Sequence, residues 1–333
     1  MTAAGASMLR QRAADYLALR RAVGYKLAEN ERLLAQFLDY LEEAGITAIT
    51  TQTAVAWAVL PSGAKPVYWQ RRLSVVRCFA AHLAATDPGV EVPPAAALRC
   101  FPNRTAPHLY SDAEILALMD AAGTVFRQPL RQATYRTLIG LLAVTGMRAG
   151  EAVRLDRDHI DLEARVLSVI DSKYGKSRQV LLHASTASML ASYGDLRDRT
   201  AGTLGAPAFF VSTRGRLLVN TADYVFASLV KAVGIPPGPE GRAARLHDFR
   251  HSLAVRTLLE WYRAGVDVQA RLPVLSTWLG HISPASTYYY LQAAPELLAL
   301  AAERLEHPNP STAAGALSWP PSRPSWKRSS PTG

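Results

Sequence analysis

Cysteine is nearly absent from this chain: Cys78 and Cys100 are the only two in 333 residues. A framework of several disulfides is therefore excluded; the two could form one disulfide, but the expectation is two reduced packing cysteines in a cytosolic protein. Long apolar runs are also missing. The most apolar stretch, Leu138–Val144, is far short of the ~20 residues that span a bilayer, so no membrane partner is expected. Met1-Thr2-Ala3-Ala4-Gly5 has no basic region leading into an apolar one, which argues against a secretory signal. There is no internal repeat. Acid is in deficit: 27 Asp and Glu stand against 37 Lys and Arg, a net charge of +10. A polyanionic partner fits that balance.

The length allows two domains, each with its own core. Residues 1–105 read as helical. Leu33, Leu34, Phe37, Leu38 and Leu41 follow the 3, 4, 7 spacing of one buried helix face, and Gly45 stops that helix. A second amphipathic stretch runs from about Tyr68 to Leu83. An earlier helix carries Tyr16, Leu17 and Leu19, and a short one covers Thr53–Val59. Pro102–Pro107 has the composition of an exposed linker. Ser111 and Glu114 then form a capping box that starts a new helix.

The second domain, 106–306, mixes helix and strand. Arg165–Ile170 and Gln179–His183 read as strands of a hairpin with Lys173 and Lys176 at its tip. Phe209-Phe210-Val211 reads as a third strand, and Asp248–Ala264 and Ala294–Leu305 as helices. Residues 307–333 are rich in Pro and Ser, basic and without acid, the composition of a disordered tail. The expected class is mainly α with a small β-sheet (α+β), a four-helix amino-terminal domain followed by a larger mixed one.

Five separated islands carry groups suited to phosphodiester chemistry. Thr145-Gly146-Met147-Arg148-Ala149-Gly150-Glu151 is the first, and Ser172-Lys173-Tyr174-Gly175-Lys176-Ser177-Arg178 the second. His247-Asp248-Phe249-Arg250-His251, Leu279-Gly280-His281 and Ser286-Thr287-Tyr288-Tyr289-Tyr290 follow. Cutting a DNA strand without a metal builds negative charge on the phosphoryl oxygens and requires a proton for the departing 5′ oxygen. Guanidinium groups answer the first need, staying charged and gripping two oxygens in a fork. Arg148 and Arg250 are the candidates, with Glu151 placed to hold the Arg148 guanidinium. His247 and Arg250 are spaced i, i+3 and share a helix face. His247 suits acceptance of a tyrosine proton or donation to a phosphoryl oxygen. His251 is expected to face another way, as a structural residue or a contact to the DNA backbone. A lysine from the hairpin, Lys173 or Lys176, suits the general acid. Successive helical residues project about 100° apart, so only one of Tyr288, Tyr289 and Tyr290 can face a site.

The order Arg, Lys, His, Arg, His, Tyr resembles the active site of the tyrosine recombinases, the phage integrase family. That resemblance covers most of the chain, with residues 1–105 similar to the core-binding domain and 106–306 to the catalytic domain. It implies Arg148, Lys173, His247, Arg250, His281 and Tyr290 as the catalytic set, with Tyr290 forming a 3′-phosphotyrosyl intermediate. It implies no metal or nucleotide cofactor. The implied partners are double-stranded DNA and three further protomers, on two DNA sites, with or without partner recombinases. Ser283-Pro284-Ala285-Ser286-Thr287 and Pro295-Glu296-Leu297-Leu298 look like recombinases of mobile elements, so integration or transposition is the expected task. Outside the site, Lys65, Arg71, Arg72 and Arg77 cluster near one helix with Tyr68 and Trp69, suited to DNA phosphates, as is Lys176. Two other functions share parts of this pattern. A silent DNA-binding accessory protein would not need the complete set, and a topoisomerase-like enzyme would not need paired specific sites.

Overall fold

The computed structural model describes residues 3–98, 106–170, 177–201, 207–238, 241–281, 287 and 290. The chain divides into two compact units with the boundary between Thr105 and Ala106. Among the described residues no helix is long and apolar enough to cross a membrane.

The first unit holds four helices: α1 (Ala3–Ala22), α2 (Ala28–Glu43), α3 (Thr51–Val59) and α4 (Pro66–Leu83). The α2 stripe Leu33, Leu34, Phe37, Leu38 and Leu41 is buried, as its spacing predicts. It packs with Tyr16 and Leu17 of α1, Trp57 of α3, and Leu73, Val76, Phe79 and Leu83 of α4. Thr50 caps α3 through a reciprocal box with Thr53, so that helix starts two residues earlier than expected. Leu19 is exposed.

Two expectations for α4 need correction. Arg72 does not face solvent. It is 6% exposed, its guanidinium lies 3.7 Å over the Trp57 ring, and its Nη2 donates to the Trp57 carbonyl at 2.8 Å. It therefore closes the core between α3 and α4 instead of meeting DNA, whereas Lys65 and Arg71 are exposed and Arg77 half-buried. Cys78 is exposed and free, not packed. Cys100 lies outside the described residues.

The second unit begins with a segment laid along a helix from late in the chain, Asp248–Arg263. Tyr110 stacks on Phe249 with ring centroids 4.2 Å apart. Its N–H donates to Ser252 Oγ at 2.8 Å and its hydroxyl to the Arg245 carbonyl at 3.1 Å. Ser111 and Glu114 form the expected capping box, and α5 (Asp112–Val125) packs on α6 (Pro129–Thr145). Helix α6 carries Leu138, Ile139, Leu141 and Leu142 fully buried, which explains its near-continuous apolar run. A short α7 (Ala149–Ala152) follows.

Three strands then form an antiparallel sheet in chain order: β1 (Ile160–Asp161), β2 (Val166–Val169) and β3 (Arg178–Leu181). Val169 pairs with Arg178, on either side of residues 171–176, so β2 and β3 are the two arms that the hairpin reading called for. Lys173 and Lys176 lie outside the described residues. Helix α8 (Ala184–Ala201) leads to a two-stranded ribbon, β4 (Val211–Ser212) and β5 (Gly215–Arg216). The expected third strand thus forms only from Val211 onward, because Phe209 and Phe210 are buried against Tyr193 as core aromatics. Helices α9 (Val219–Val233), α10 (Asp248–Arg263) and α11 (Val268–Leu279) complete the described elements. The expected helix Ala294–Leu305 and the tail 307–333 lie outside the described residues.

Replacing Arg72 with Ala is expected to lower the urea stability of the first unit by about 1–3 kcal/mol, through the lost cation–π contact and carbonyl bond. The salt dependence of DNA binding should not change. A shallower salt slope with unaltered stability would return Arg72 to the DNA surface.

Candidate active site

Two left-handed glycines place the arginines. Gly146 ends α6 at φ +61°, and a Cβ there would lie 2.8 Å from Leu253 Cδ2, so glycine answers both the backbone and the space. The chain then turns directly into Arg148, the N-cap of α7. Arg148 donates through its backbone N–H to Glu151 Oε2 at 2.9 Å and through Nη1 to Oε1 at 2.7 Å. Its Nη2 donates to the Gly280 carbonyl at 3.1 Å. Glu151 is thus where the sequence puts it, against the Arg148 guanidinium.

Glu151 has a second guanidinium partner. Arg178 Nη2 donates to Oε2 at 2.8 Å and Nη1 to Oε1 at 3.3 Å, while Nε donates to the Trp278 carbonyl at 3.1 Å. Burial pushes the Glu151 carboxyl up, but Arg178 and Arg148 overcome it and hold the group down at about 2.

Helix α10 supplies three groups to one face. His247 is its N-cap. Arg250 is 2% exposed. Its Nη1 donates to the Gly146 carbonyl at 2.9 Å, and among the described residues its buried Nη2 meets no acceptor at hydrogen-bonding geometry. Burial pulls this guanidinium down to about 10, with neighbouring Tyr290 acting in the opposite sense. His251, expected to face elsewhere, instead packs between His247 and Tyr290, with ring centroids 5.0 Å and 5.3 Å away. The fixed point below the helix is Asp248, which is fully buried and takes bonds from Arg242 Nη2 at 2.6 Å and the Arg245 amide at 3.0 Å.

The last groups come from the turn after α11. Gly280 ends that helix at φ +68°, and His281 follows. His281 Nδ1 and Thr287 Oγ1 are hydrogen bonded at 2.8 Å. The ring stacks on Tyr290 with centroids 5.9 Å apart and planes 22° apart. Tyr290 is 2% exposed and packs among Val255, Leu258, Leu275 and Leu279. Trp278 donates to the Thr145 carbonyl at 3.0 Å, joining α11 to the Arg148 turn. Tyr288 and Tyr289 lie outside the described residues.

Arg148, His247, Arg250, His281 and Tyr290 therefore converge, with Glu151 beneath them. Lys65, Arg71 and Arg77 belong to the other unit. Asp156, Asp158 and His159 are close enough to share an ion, but Asp156 is ion-paired to Arg216 and His159 Nδ1 accepts the Asp156 amide at 3.1 Å. That grouping serves the turn into β1.

The sequence matches the model of the phage integrase family over residues 109–296. A Sinorhizobium fredii protein named as an integrase/recombinase, y4rB, is 42% identical over 306 residues, 90% of this chain and 98% of its own length. The chain belongs to the phage integrase family. It is a DNA breaking-and-rejoining enzyme of the tyrosine recombinase type, acting in site-specific recombination. Its fold is that of two solved members of low identity. One is the XerH recombinase in a post-cleavage complex (17% identical, TM-score 0.60, covering 83% of this chain and 78% of that one). The other is a lambda integrase tetramer bound to a Holliday junction (20% identical, TM-score 0.58, covering 85% and 76%).

Within this integrase-family site, two residues escaped the sequence reading. His251 is four residues from His247, so it shares that helix stripe as surely as Arg250 does. Arg178 is two residues from Val180, which is fully buried, and strand alternation turns both inward.

Burial holds the integrase-family imidazoles neutral. The His281 and His251 rings are pulled from 6.5 down to about 4, by burial first and then by Arg250 and by His247 respectively. His247 is lowered too, by burial and Arg250. Between pH 6.5 and 4 the unfolded chain binds more protons than the folded one, so stability is full above 6.5 and falls as pH drops through that window. The melting temperature should therefore decline from pH 7 to pH 5, with a flatter decline in His251→Gln. Identical slopes in the two proteins would show that His251 is not held neutral by folding.

Proposed function

We propose that Tyr290 is the nucleophile of this recombinase and that Arg148, Arg250, His247 and His281 surround the scissile phosphate. The observation that carries this is the convergence of Tyr290 with the His251 and His281 imidazoles and with the buried Arg250 guanidinium. Three guanidiniums, those of Arg148, Arg178 and Arg250, surround one carboxylate, Glu151. Of the two positive charges left over, a phosphodiester offsets one on binding and the other as charge builds on its oxygens in the transition state.

The Tyr290 hydroxyl attacks phosphorus, and its phenolic proton passes to one neutral imidazole of α10, that of His247 or His251. In the tautomer whose Nδ1 accepts from Thr287 Oγ1, His281 presents Nε2–H to a phosphoryl oxygen. Arg148 and Arg250 bind the oxygens on which charge builds. Lys173 protonates the leaving 5′ oxygen, since it lies on the segment between β2 and β3 and is the first of its two lysines. The phosphotyrosyl bond keeps the energy of the phosphodiester, so a second DNA 5′-hydroxyl reverses the step without ATP.

Strand exchange requires two cuts in each of two duplexes, which calls for four protomers. The resemblance of fold to a lambda integrase tetramer on a Holliday junction supports that assembly, and the integrase/recombinase name of y4rB supports a mobile-element role. Lys65, Arg71 and Arg77 are the proposed backbone contacts of the first unit, with Lys176 beside the site, and the protein works on nucleoid DNA in the cytoplasm.

Incubation with nicked duplex from the ends of its own genetic element, followed by denaturation, should yield a covalent protein–DNA adduct. Tyr290→Phe should lose it while binding DNA within about threefold of wild type, and Tyr288→Phe and Tyr289→Phe should keep it. An adduct that survives Tyr290→Phe removes Tyr290 as nucleophile.

A further inference from the structure

We infer that Arg178 is a positioning residue for cleavage, acting through Glu151 to fix Arg148 and through the Trp278–Gly280 turn to fix His281. The inference rests on the assignment of Arg148, His281 and Tyr290 given above.

Arg178 is the more enclosed of the two: its side chain is 11% exposed, against 27% for Arg148. All three of its nitrogens are spent on protein, two on Glu151 and Nε on the Trp278 carbonyl. With these bonds, each Glu151 oxygen accepts twice: Oε1 from Arg148 Nη1 and Arg178 Nη1, Oε2 from the Arg148 amide and Arg178 Nη2. That fills the acceptor capacity of a carboxylate. Among the described residues the Arg148 guanidinium spends one N–H on Glu151 and one on Gly280, leaving three of its five, whereas Arg178 spends three.

Charge supplies the second part. Glu151 is buried, and burial alone drives its carboxyl upward, with Arg178 the largest influence in the other direction. Without Arg178, one guanidinium would have to stabilise a buried carboxylate alone, and the carboxyl would take up a proton at a higher pH. A protonated Glu151 has one oxygen committed as a donor and holds Arg148 less tightly.

Space supplies the third. A Cβ on Gly280 would lie 2.6 Å from Arg178 Nη1 and 2.9 Å from its Cζ. The glycine before His281 is thus required by the approach of Arg178 as well as by its positive φ. Arg178 is also the first residue of β3, five residues after Lys173. One guanidinium therefore ties together the strand leading out of the Lys173 segment, the Arg148 turn and the His281 turn.

The test is the single-turnover rate of adduct formation on the nicked element-end duplex, at saturating protein, for the full chain at pH 8 and pH 5.5. Arg178→Gln should bind DNA within about threefold of wild type yet form adduct roughly 10–100-fold more slowly, the scale of a misplacement of about an ångström. The deficit should widen at pH 5.5, as the less well held Glu151 gains a proton. Glu151→Gln should be slow with no such widening. The double variant Arg178→Gln/Glu151→Gln, which removes the buried charge along with its partner, should be no slower than Glu151→Gln alone. Arg178→Lys should abolish most of the widening, because a cation is restored, without recovering the full rate at pH 8. Losses that multiply in the double variant would overturn the inference, as would an Arg178→Gln protein within threefold of wild type at both pH values. If Arg178→Gln does not fold, the double variant and Arg178→Lys decide by the same criteria. An adduct in the Tyr290→Phe control would overturn the underlying assignment instead, whatever the Arg178 variants do.

Discussion

A single buried carboxylate organises the catalytic unit. Glu151 draws in Arg148 from its own turn and Arg178 from the β-sheet, two elements that share no sequence neighbourhood. Burying a carboxylate and two guanidiniums is an expensive way to fill a core, and apolar residues of similar volume often stabilise as well or better. The arrangement is better understood as a device for specifying geometry. A carboxylate with four directed bonds admits few alternative positions for the arginines around it. Glu151 is only 3% exposed, so little water competes for those bonds.

The catalytic helix shows the same economy from the other side. Asp248 anchors the first turn of α10 with Arg242 and the Arg245 amide, and Tyr110 and Ser252 fix the helix against the start of the unit. The three polar side chains on the opposite side, His247, Arg250 and His251, therefore start from a rigid base. Their surroundings favour neutral imidazoles and disfavour the Arg250 cation. An anionic substrate relieves that tension as it binds, so part of the site's electrostatic strain is released into recognition of the phosphate.

Periodicity made much of this legible in advance. The α2 stripe, the α4 stripe and the Ser111 capping box are local patterns, and local rules describe them. The order of the islands pointed to Arg148, His247, Arg250, His281 and Tyr290, which the fold brings together. Side-chain direction was harder wherever charge and helix face disagreed. Arg72 has the composition of a DNA contact but the position of a core residue, flanked by the buried Leu73 and set over Trp57. A cation buried on a tryptophan face leaves no trace in a charge count. His251 was misplaced by weighing the i, i+3 pair and neglecting i, i+4. Arg178 needed two facts at once, the strand face it shares with Val180 and the distant turn it reaches, and only the first is in the sequence. The two-residue strands β1 and β5 are too short for any periodicity to emerge.

The two left-handed glycines of this site also link α10, the Arg148 turn and the His281 turn in series. The Gly146 carbonyl accepts Arg250, and the Gly280 carbonyl accepts Arg148. Arg250, on α10, is thus held by the backbone of the Arg148 turn, and Arg148 by the backbone of the His281 turn, across 104 and 132 residues of chain. Such a relay couples three elements: shifting the Arg148 turn frees the Arg250 guanidinium, and shifting the His281 turn frees that of Arg148. Insertions and deletions can accumulate in the chain between these islands, where they leave both carbonyls in place. Within the turns, evolutionary drift is confined to changes that preserve two backbone oxygens at once, so these short islands can stay readable while the sequence between them diverges.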